Sequence, residues 1–519
     1  MLTERRKGKS LMKVLLVYPL HIRSFEQPLG VLYVSAVLKQ HGHEIKLFKL
    51  SEQEDWNFEK EPSVVEKSFL DVVHHFNPGI IGISLLSTNF HRGQLFAEWV
   101  KKNTDIKIVL GGAGPTVEPE KMLSQSKADF LCVGEGEYAA LDLVQALEER
   151  SDTTRIANIW SKRNGQILKN EVRPLVEDLD TIPFPDRELI RDEFENGNIE
   201  WTSFISSRGC PYQCSYCHNP YLQKLYRGKG RFTRIRSIEK IIEELKEVKS
   251  IYSVKRVTFS DDTFTIDPKR ILEFCSFYAG EITLPFQCQT RANHVSKEIF
   301  RALKDAGCQE VHIGLEAGND RQRNKVLKRD MSREQILTAI SDAKEAGLKV
   351  ATFNIIGAPY ETEETVWDTI HLNRLAQPEA VYHTIFMPLT GSEAKDICVK
   401  EGWTIREINA GYYGAVFLEQ PSISPRKLIA YQYVFDLYVY CPRWLYPIVH
   451  LLRFLWKTAP PTEDRRLLGR IQRTIANQGV NYLKKVFYLR SDWSYSDACK
   501  GRKKGINDFL HFPTSGERG

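Results

Sequence analysis

The sequence predicts an α/β protein built from two successive parallel-sheet units and a mostly helical C-terminal region. Three observations carry this. Apolar runs of strand length alternate with amphipathic helical stretches from residue 13 to about residue 390. The alternation is interrupted once, before residue 200, by an acidic, proline-punctuated segment. Beyond residue 390 it gives way to an aromatic, apolar stretch.

At 519 residues the chain exceeds one ordinary core, so two or three domains are expected. Hydrophobic content of 42% with 27% charge is that of a globular protein, and a net charge of +6 is too small to argue for nucleic acid. Of ten cysteines, three fall within eight residues. The rest (Cys132, Cys275, Cys288, Cys308, Cys398, Cys441, Cys499) are scattered, as thiols in a reducing, cytoplasmic setting would be. The apolar run behind the basic N-terminus is short and ends at Pro19, so a signal peptide is not expected. No charge-free run is long enough to span a bilayer.

In residues 12–150, the runs 13–19, 44–50, 80–86, 107–112 and 130–134 read as buried parallel strands, with helices at 30–40, 64–75, 93–102 and 138–149. Five βα units imply an open, doubly wound, Rossmann-like sheet with its ligand at the carboxyl ends of the strands. The loops there are rich in small residues: Ser84 to Thr88, Gly111-Gly112-Ala113-Gly114-Pro115 and Gly134-Glu135-Gly136-Glu137. Glycines let backbone approach a large flat ligand, which makes Ser84, Gly111, Gly112, Gly134 and Glu135 candidates. A flavodoxin-like module with another ligand, or none, fits these loops as well.

Residues 151–200 read as a connector. It holds a hairpin turning at Asn164-Gly165, then a linker with Asp178, Asp180, Pro183 and Pro185 that would set one domain against the next.

In residues 201–390, strand-like runs at 202–206, 256–260, 286–290, 310–315, 349–356 and 380–387 alternate with helices at 237–247, 268–278, 297–306, 332–346 and 362–375. Six βα units spaced ~30–40 residues apart suit a (β/α)6 partial barrel with its site at the strand carboxyl ends. Gly307 and Gly347 fit helix C-caps. Polar residues follow the strands: Ser260-Asp261-Asp262, Gln289-Thr290-Arg291, Gly314-Leu315-Glu316 and Gly357 to Glu361. The basic run Arg227, Lys229, Arg231 reads as a solvated connector.

The loop after the first of these strands reads Arg208-Gly209-Cys210-Pro211-Tyr212-Gln213-Cys214-Ser215-Tyr216-Cys217, a C-x3-C-x2-C spacing. Three thiolates this close suit one soft metal centre. On a four-iron cubane they leave one iron open for a substrate or cosubstrate, as catalytic zinc sites keep an open position. A structural zinc site wants a fourth ligand. His218 is adjacent, so counting alone leaves zinc open.

With Tyr216 before the third cysteine, this motif resembles the signature of radical S-adenosylmethionine (SAM) enzymes. The wording Ser207-Arg208-Gly209-Cys210-Pro211 resembles the branch with a cobalamin domain in front. The resemblance covers about residues 12–400. It implies a [4Fe-4S] cluster on Cys210, Cys214 and Cys217, SAM chelated to the open iron and cleaved by one electron to a 5′-deoxyadenosyl radical, and cobalamin on the first domain. It places Asp261 or Asp262 at the amino group of SAM, and Glu316 and Arg291 at its ribose or carboxylate. The family's Gly-Gly-Glu after the second strand is missing, so that match is by position and chemistry. Cobalamin modules with D-x-H-x-x-G ligate cobalt through the His. Here His21 lacks the flanking Asp and Gly, and Asn89-Phe90-His91 is incomplete too. Cobalamin without a protein imidazole on cobalt is therefore implied, with His21 a loop histidine.

The reaction implied is methylation of an unactivated carbon, fed by flavodoxin or ferredoxin. The alternative is oxidative cyclisation of the magnesium-protoporphyrin monomethyl ester type; a non-enzyme alternative is a cobalamin- or redox-sensing binding protein. Methylthiotransferases acting on tRNA carry a second cysteine triad, and only Cys132 precedes residue 210.

In residues 391–519, Leu389-Thr390-Gly391-Ser392-Glu393 resembles the family's barrel-closing turn. The aromatic stretch 431–456 is broken by Asp436, Arg443, Arg453, Pro442 and Pro447, which argues against a span. Core packing is the preferred reading over peripheral membrane contact. If the stretch lines the site, the substrate is large and lipophilic, such as bacteriochlorophyllide or another tetrapyrrole, a hopanoid or an isoprenoid lipid.

Overall fold

The computed structural model describes residues 11–22, 27–406, 415–458 and 478–483, with Thr474 and Lys485. The first ten residues, Cys499 and most of the expected C-terminal region beyond Thr458 lie outside the described residues.

Seven strands form the first sheet: β1 (Lys13–His21), β2 (Glu44–Leu50), β3 (Ile80–Ser84), β4 (Lys107–Gly111), β5 (Phe130–Cys132), β6 (Ile159–Arg163) and β7 (Gln166–Leu168). They lie in the order β2-β1-β3-β4-β5-β6-β7. The first five are parallel and are the five read from their apolar runs. The order reverses between β1 and β3, where an open α/β sheet leaves its ligand crevice. Helices cover both faces, which is why these strands are apolar throughout rather than alternating. One face packs Phe48, Phe69, Phe96 and Trp99; the other packs Leu32, Val37, Ala139 and Val144. The Asn164-Gly165 hairpin does not stand free. Both turn residues take positive φ, and β6 pairs antiparallel with β5, so the hairpin extends this sheet.

The acidic linker is an ordered strap pinned at both ends. Asp186 accepts from Ser35 Oγ at 2.6 Å and pairs with Lys39 at 2.7 Å, both on the helix Leu29–Gln40 of the first domain. Asp180 accepts the backbone N–H of Ser237 at 3.1 Å. Buried Arg187 reaches Glu244 at 2.7 Å, and Arg236 closes on the other oxygen of Glu244 at 2.5 Å.

The second sheet holds β8 (Trp201–Phe204), β11 (Arg256–Phe259), β12 (Phe286–Thr290), β13 (Cys308–Glu316), β14 (Lys349–Ile356) and β15 (Ala380–Ile385) in the order β15-β14-β13-β12-β11-β8, all parallel. A small ribbon, β9 (Ser207–Arg208) with β10 (Arg234–Ile235), brackets the cysteine loop. Each of the five crossover helices starts on a side-chain cap: Ser237, Asp267, Ser296, Ser332 and Thr362 accept the N–H three residues on. Gly307 and Gly347 end two of them with positive φ, as the sequence suggests. Six strands do not close a ring, so β8 and β15 are both edges. On the β8 edge, the Gln27 side chain from the first domain donates to Trp201 O at 2.7 Å and accepts from Ser203 N at 3.2 Å.

The aromatic stretch folds as two antiparallel helices, Pro425–Tyr440 and Tyr446–Thr458, against the β15 side of the barrel. Tyr431, Phe435 and Tyr438 of the first helix are fully buried, which is core packing.

Candidate active site

The cysteine loop leaves β8 where the strand must turn across the barrel mouth. Asp261, just past β11, fixes that turn. Its buried carboxylate accepts from the Ser206 N–H at 3.1 Å, from Ser206 Oγ at 2.8 Å and from Ser207 Oγ. Those bonds tie Asp261 to the turn, so it shapes the cysteine loop. Asp262, the next residue, is exposed. Its charge is felt at both Cys210 and Cys217, and the Asn219 amide bonds to it.

The three cysteines face one region. Burial, with Asp262 adding to it, pushes the Cys210 thiol up to about 11; burial does the same at Cys217, opposed by the Asn219 N–H 3.4 Å from its sulfur. Around Cys214 the field is cationic: Arg291 Nη1 lies 3.5 Å and Arg329 Nη1 3.7 Å from its sulfur. Among the described residues no three His, Cys, Asp or Glu side chains gather closely enough for a single ion. His218, the possible fourth zinc ligand, turns toward Thr390 and Glu118. A cubane spreads its three thiolates over three irons and needs no such convergence, so the donor set fits a cluster and not a zinc knuckle.

Arg291 is buried over the Tyr212 ring at 3.6 Å and donates to the Arg329 carbonyl, so it braces the loop from above. Glu316 ends β13 with a positive φ of 62° and is buried. Burial raises its pKa, while Arg329, 3.8 Å away, and the Tyr216 hydroxyl hold it down. Arg329 is the member the sequence reading missed. It sits in the run Arg321 to Asp330, whose dense charges look solvated, yet it is buried and also donates to Gly314 O at 2.7 Å.

On the first domain, Ser84, Gly111 and Gly112 lie at the ends of β3 and β4. Leu85 N donates to Gly111 O and Gly114 N to Leu85 O, so the two loops are laced backbone to backbone. Gly112 has φ of 103°, and a Cβ there would sit 2.6 Å from Leu85 O. At the ends of β1 and β3, His21 Nδ1, Ser87 Oγ and Asn89 Nδ2 are buried without a partner. Orphaned polar atoms at a switch-point crevice are the feature that fits a large polar-rimmed cofactor.

Gly134 and Glu135 also have structural work at the seam between the two domains. Gly134, at φ of 86°, is where the Tyr226 hydroxyl leaves no room for a Cβ; that hydroxyl accepts the Glu135 N–H at 2.7 Å. Glu135 is gripped by Arg234 and stands 3.6 Å from Arg208, which pairs with Glu137 at 2.7 Å. Arg208 is two residues before Cys210, so the β5 loop is clasped directly to the cysteine loop.

A family model for the radical SAM superfamily matches residues 204–372, and one for the B12 binding domain matches residues 16–144. The chain carries a radical SAM domain. In front of its radical SAM barrel stands a B12-binding domain. An uncharacterised methyltransferase of Pyrococcus horikoshii is 28% identical over 74% of this chain and 82% of its own. The anaerobic magnesium-protoporphyrin IX monomethyl ester cyclase of Rubrivivax gelatinosus is 25% identical over 73% of this chain and 68% of its own. The solved structure of the cobalamin-dependent SAM radical enzyme OxsB with aqua-cobalamin bound shares the fold, with a TM-score of 0.63 and 17% identity, covering 96% of this chain and 75% of that one.

Proposed function

We propose that this radical SAM enzyme methylates an unactivated carbon of a lipophilic small molecule, at a site between the barrel mouth and the B12-binding domain. The clasp of Glu135 and Glu137 to Arg234 and Arg208 carries this reading, because it sets the corrinoid crevice against the cysteine loop. Cys210, Cys214 and Cys217 would hold a [4Fe-4S] cluster, and the crevice at the ends of β1, β3 and β4 would hold cobalamin. Bound there, the reduced cluster supplies the electron that turns SAM into a hydrogen-abstracting radical, and the corrinoid supplies a methyl group that carbon without a lone pair cannot take from a sulfonium.

The chain's own residues divide the remaining work. Asp262, exposed beside the loop, accepts from the amino group of SAM. Arg291 and Arg329, both within reach of the Cys214 sulfur, keep the loop from swinging. Glu316, tied to Arg329 and Tyr216, offers its remaining lone pairs to the ribose hydroxyls. His21, expected in a loop, instead closes β1, and we assign it no role as a cobalt ligand. The cyclase reading rests on the Rubrivivax relative, matched over 404 residues.

Full-length protein reconstituted anaerobically with iron, sulfide and cobalamin, reduced by flavodoxin and given SAM with a lipid extract or bacteriochlorophyllide, should release S-adenosylhomocysteine and 5′-deoxyadenosine together. Deoxyadenosine alone, with an oxidised product, would favour cyclisation. Neither product under reduction would leave a binding protein. Turnover with a water-soluble acceptor and none with apolar ones would remove the lipophilic assignment.

A further inference from the structure

Away from the mouth, the helix Tyr446–Thr458 carries two apolar faces. One, with Val449, Leu452 and Trp456, packs on the neighbouring helix, and the Trp456 ring stacks on Tyr433 at 3.7 Å. The other points outward. Ile448, Leu451 and Phe454 are 47%, 56% and 58% exposed, and Trp444, one turn ahead, is 75% exposed. At 3.6 residues per turn Ile448, Leu451 and Phe454 share one sector of the helix, and Trp444 precedes it in the short turn Arg443–Leu445.

Charge runs along its margin. Arg443 and Lys457 lie exposed beside the apolar sector. No acidic residue occurs between Pro442 and Thr458. The nearest paired acid, Glu363, is already held by Lys427 and Arg453. Arg443 also lines a groove of about 730 Å³ with Arg333, Lys344 and Arg374. The two carboxylates of that groove are taken, Glu379 by the Val350 N–H and Asp436 by His383.

We infer that this face docks on a bilayer surface rich in anionic headgroups, with the four apolar side chains inserted and the basic residues on the phosphates. The chemistry is that of an interfacial helix: an apolar sector, an amphipathic Trp at its end and cations at headgroup depth. A protein partner is the poorer match, since a stable interface takes about 20 residues a side and this helix has 13. The inference stands whatever the substrate is.

The test is vesicle flotation of the full chain. Phosphatidylcholine vesicles containing phosphatidylglycerol should carry the protein up; phosphatidylcholine alone should carry much less, and high salt should release it. Ile448→Asp/Leu451→Asp/Phe454→Asp, at exposed positions that leave the melting temperature unchanged, should cut the bound fraction by roughly tenfold or more. Arg443→Glu/Lys457→Glu should weaken binding to the anionic vesicles alone, by about fivefold per charge. Wild-type tryptophan emission should shift to the blue on binding, and Trp444→Phe should lose that shift. No flotation, flotation indifferent to the triple variant, or a concentration-dependent dimer that the triple variant dissolves would each overturn the proposal.

Discussion

The two carboxyl-end faces that meet in this molecule are built by opposite means. On the barrel, side chains do the defining: Asp261, Arg291, Glu316 and Arg329 are all buried, and each is bonded to another part of the cysteine loop or its frame. On the B12-binding domain, backbone does it: Gly111, Gly112 and Gly114 lace two loops together and leave unpartnered atoms at the rim. A small, highly charged cosubstrate is gripped by point contacts that must be held to a fraction of an ångström. A large flat ring is received by a surface, and a surface is made most closely with glycine.

If that contrast is right, single side-chain losses should be severe on the barrel and mild on the other face. Replacing Cys210, Cys214 or Cys217 by Ala should abolish iron and sulfide binding and deoxyadenosine release, while cobalamin content survives; iron analysis beside the corrin absorbance reads both.

Next in size is Arg329→Leu. It leaves the Glu316 carboxylate buried and unpaired, at about 3–5 kcal/mol in denaturant unfolding, and the double variant with Glu316→Gln should recover much of that.

Glu361 tests the barrel face through pH. Burial raises its pKa from 4.5 to about 8 against the pull of the Gly357 and Ala358 N–H groups. Below about pH 4.5 folded and unfolded forms both hold the proton. Between there and about pH 8 only the unfolded form ionises, so stability falls as pH rises, by on the order of 4 kcal/mol at the top of the window. Glu361→Gln should remove that slope, as thermal melts across the window would show.

On the other face, Gly112→Ala should cost about 1–3 kcal/mol through its positive φ and the Leu85 carbonyl, and should weaken cobalamin retention. Smallest of all, Ser87→Ala should leave the melting temperature unchanged and cost about 1 kcal/mol of cobalamin affinity. A large loss there, or a trivial one at Arg329, would erase the contrast.

The same division explains what could be read from the chain in advance. All eleven parallel strands of the two domains stand where apolar runs place them, because a strand buried on both faces leaves an unbroken mark in sequence. The cysteine loop was legible because its ligands are neighbours. Arg329 was not. A buried arginine inside Arg321 to Asp330 looks like any solvated charge until its most distant partner, Cys214, more than a hundred residues away, is placed beside it. Asp261 and Asp262 looked interchangeable, yet Asp261 is buried against the loop while Asp262 is exposed beside Asn219. The clasp stayed hidden because Glu137 and Arg208 lie 71 residues apart with no periodicity linking them.

Gln27 has a consequence of its own. Its amide bonds to β8 the way one peptide unit of a neighbouring strand would, so the N-terminal segment supplies a surrogate stave for an unfinished ring. Until that segment is in place, β8 offers raw hydrogen-bonding groups to any extended chain nearby. Synthesis from the N-terminus puts the guard ahead of the edge it guards. A chain with Gln27→Ala should therefore clump more readily as it folds, even with every barrel residue intact.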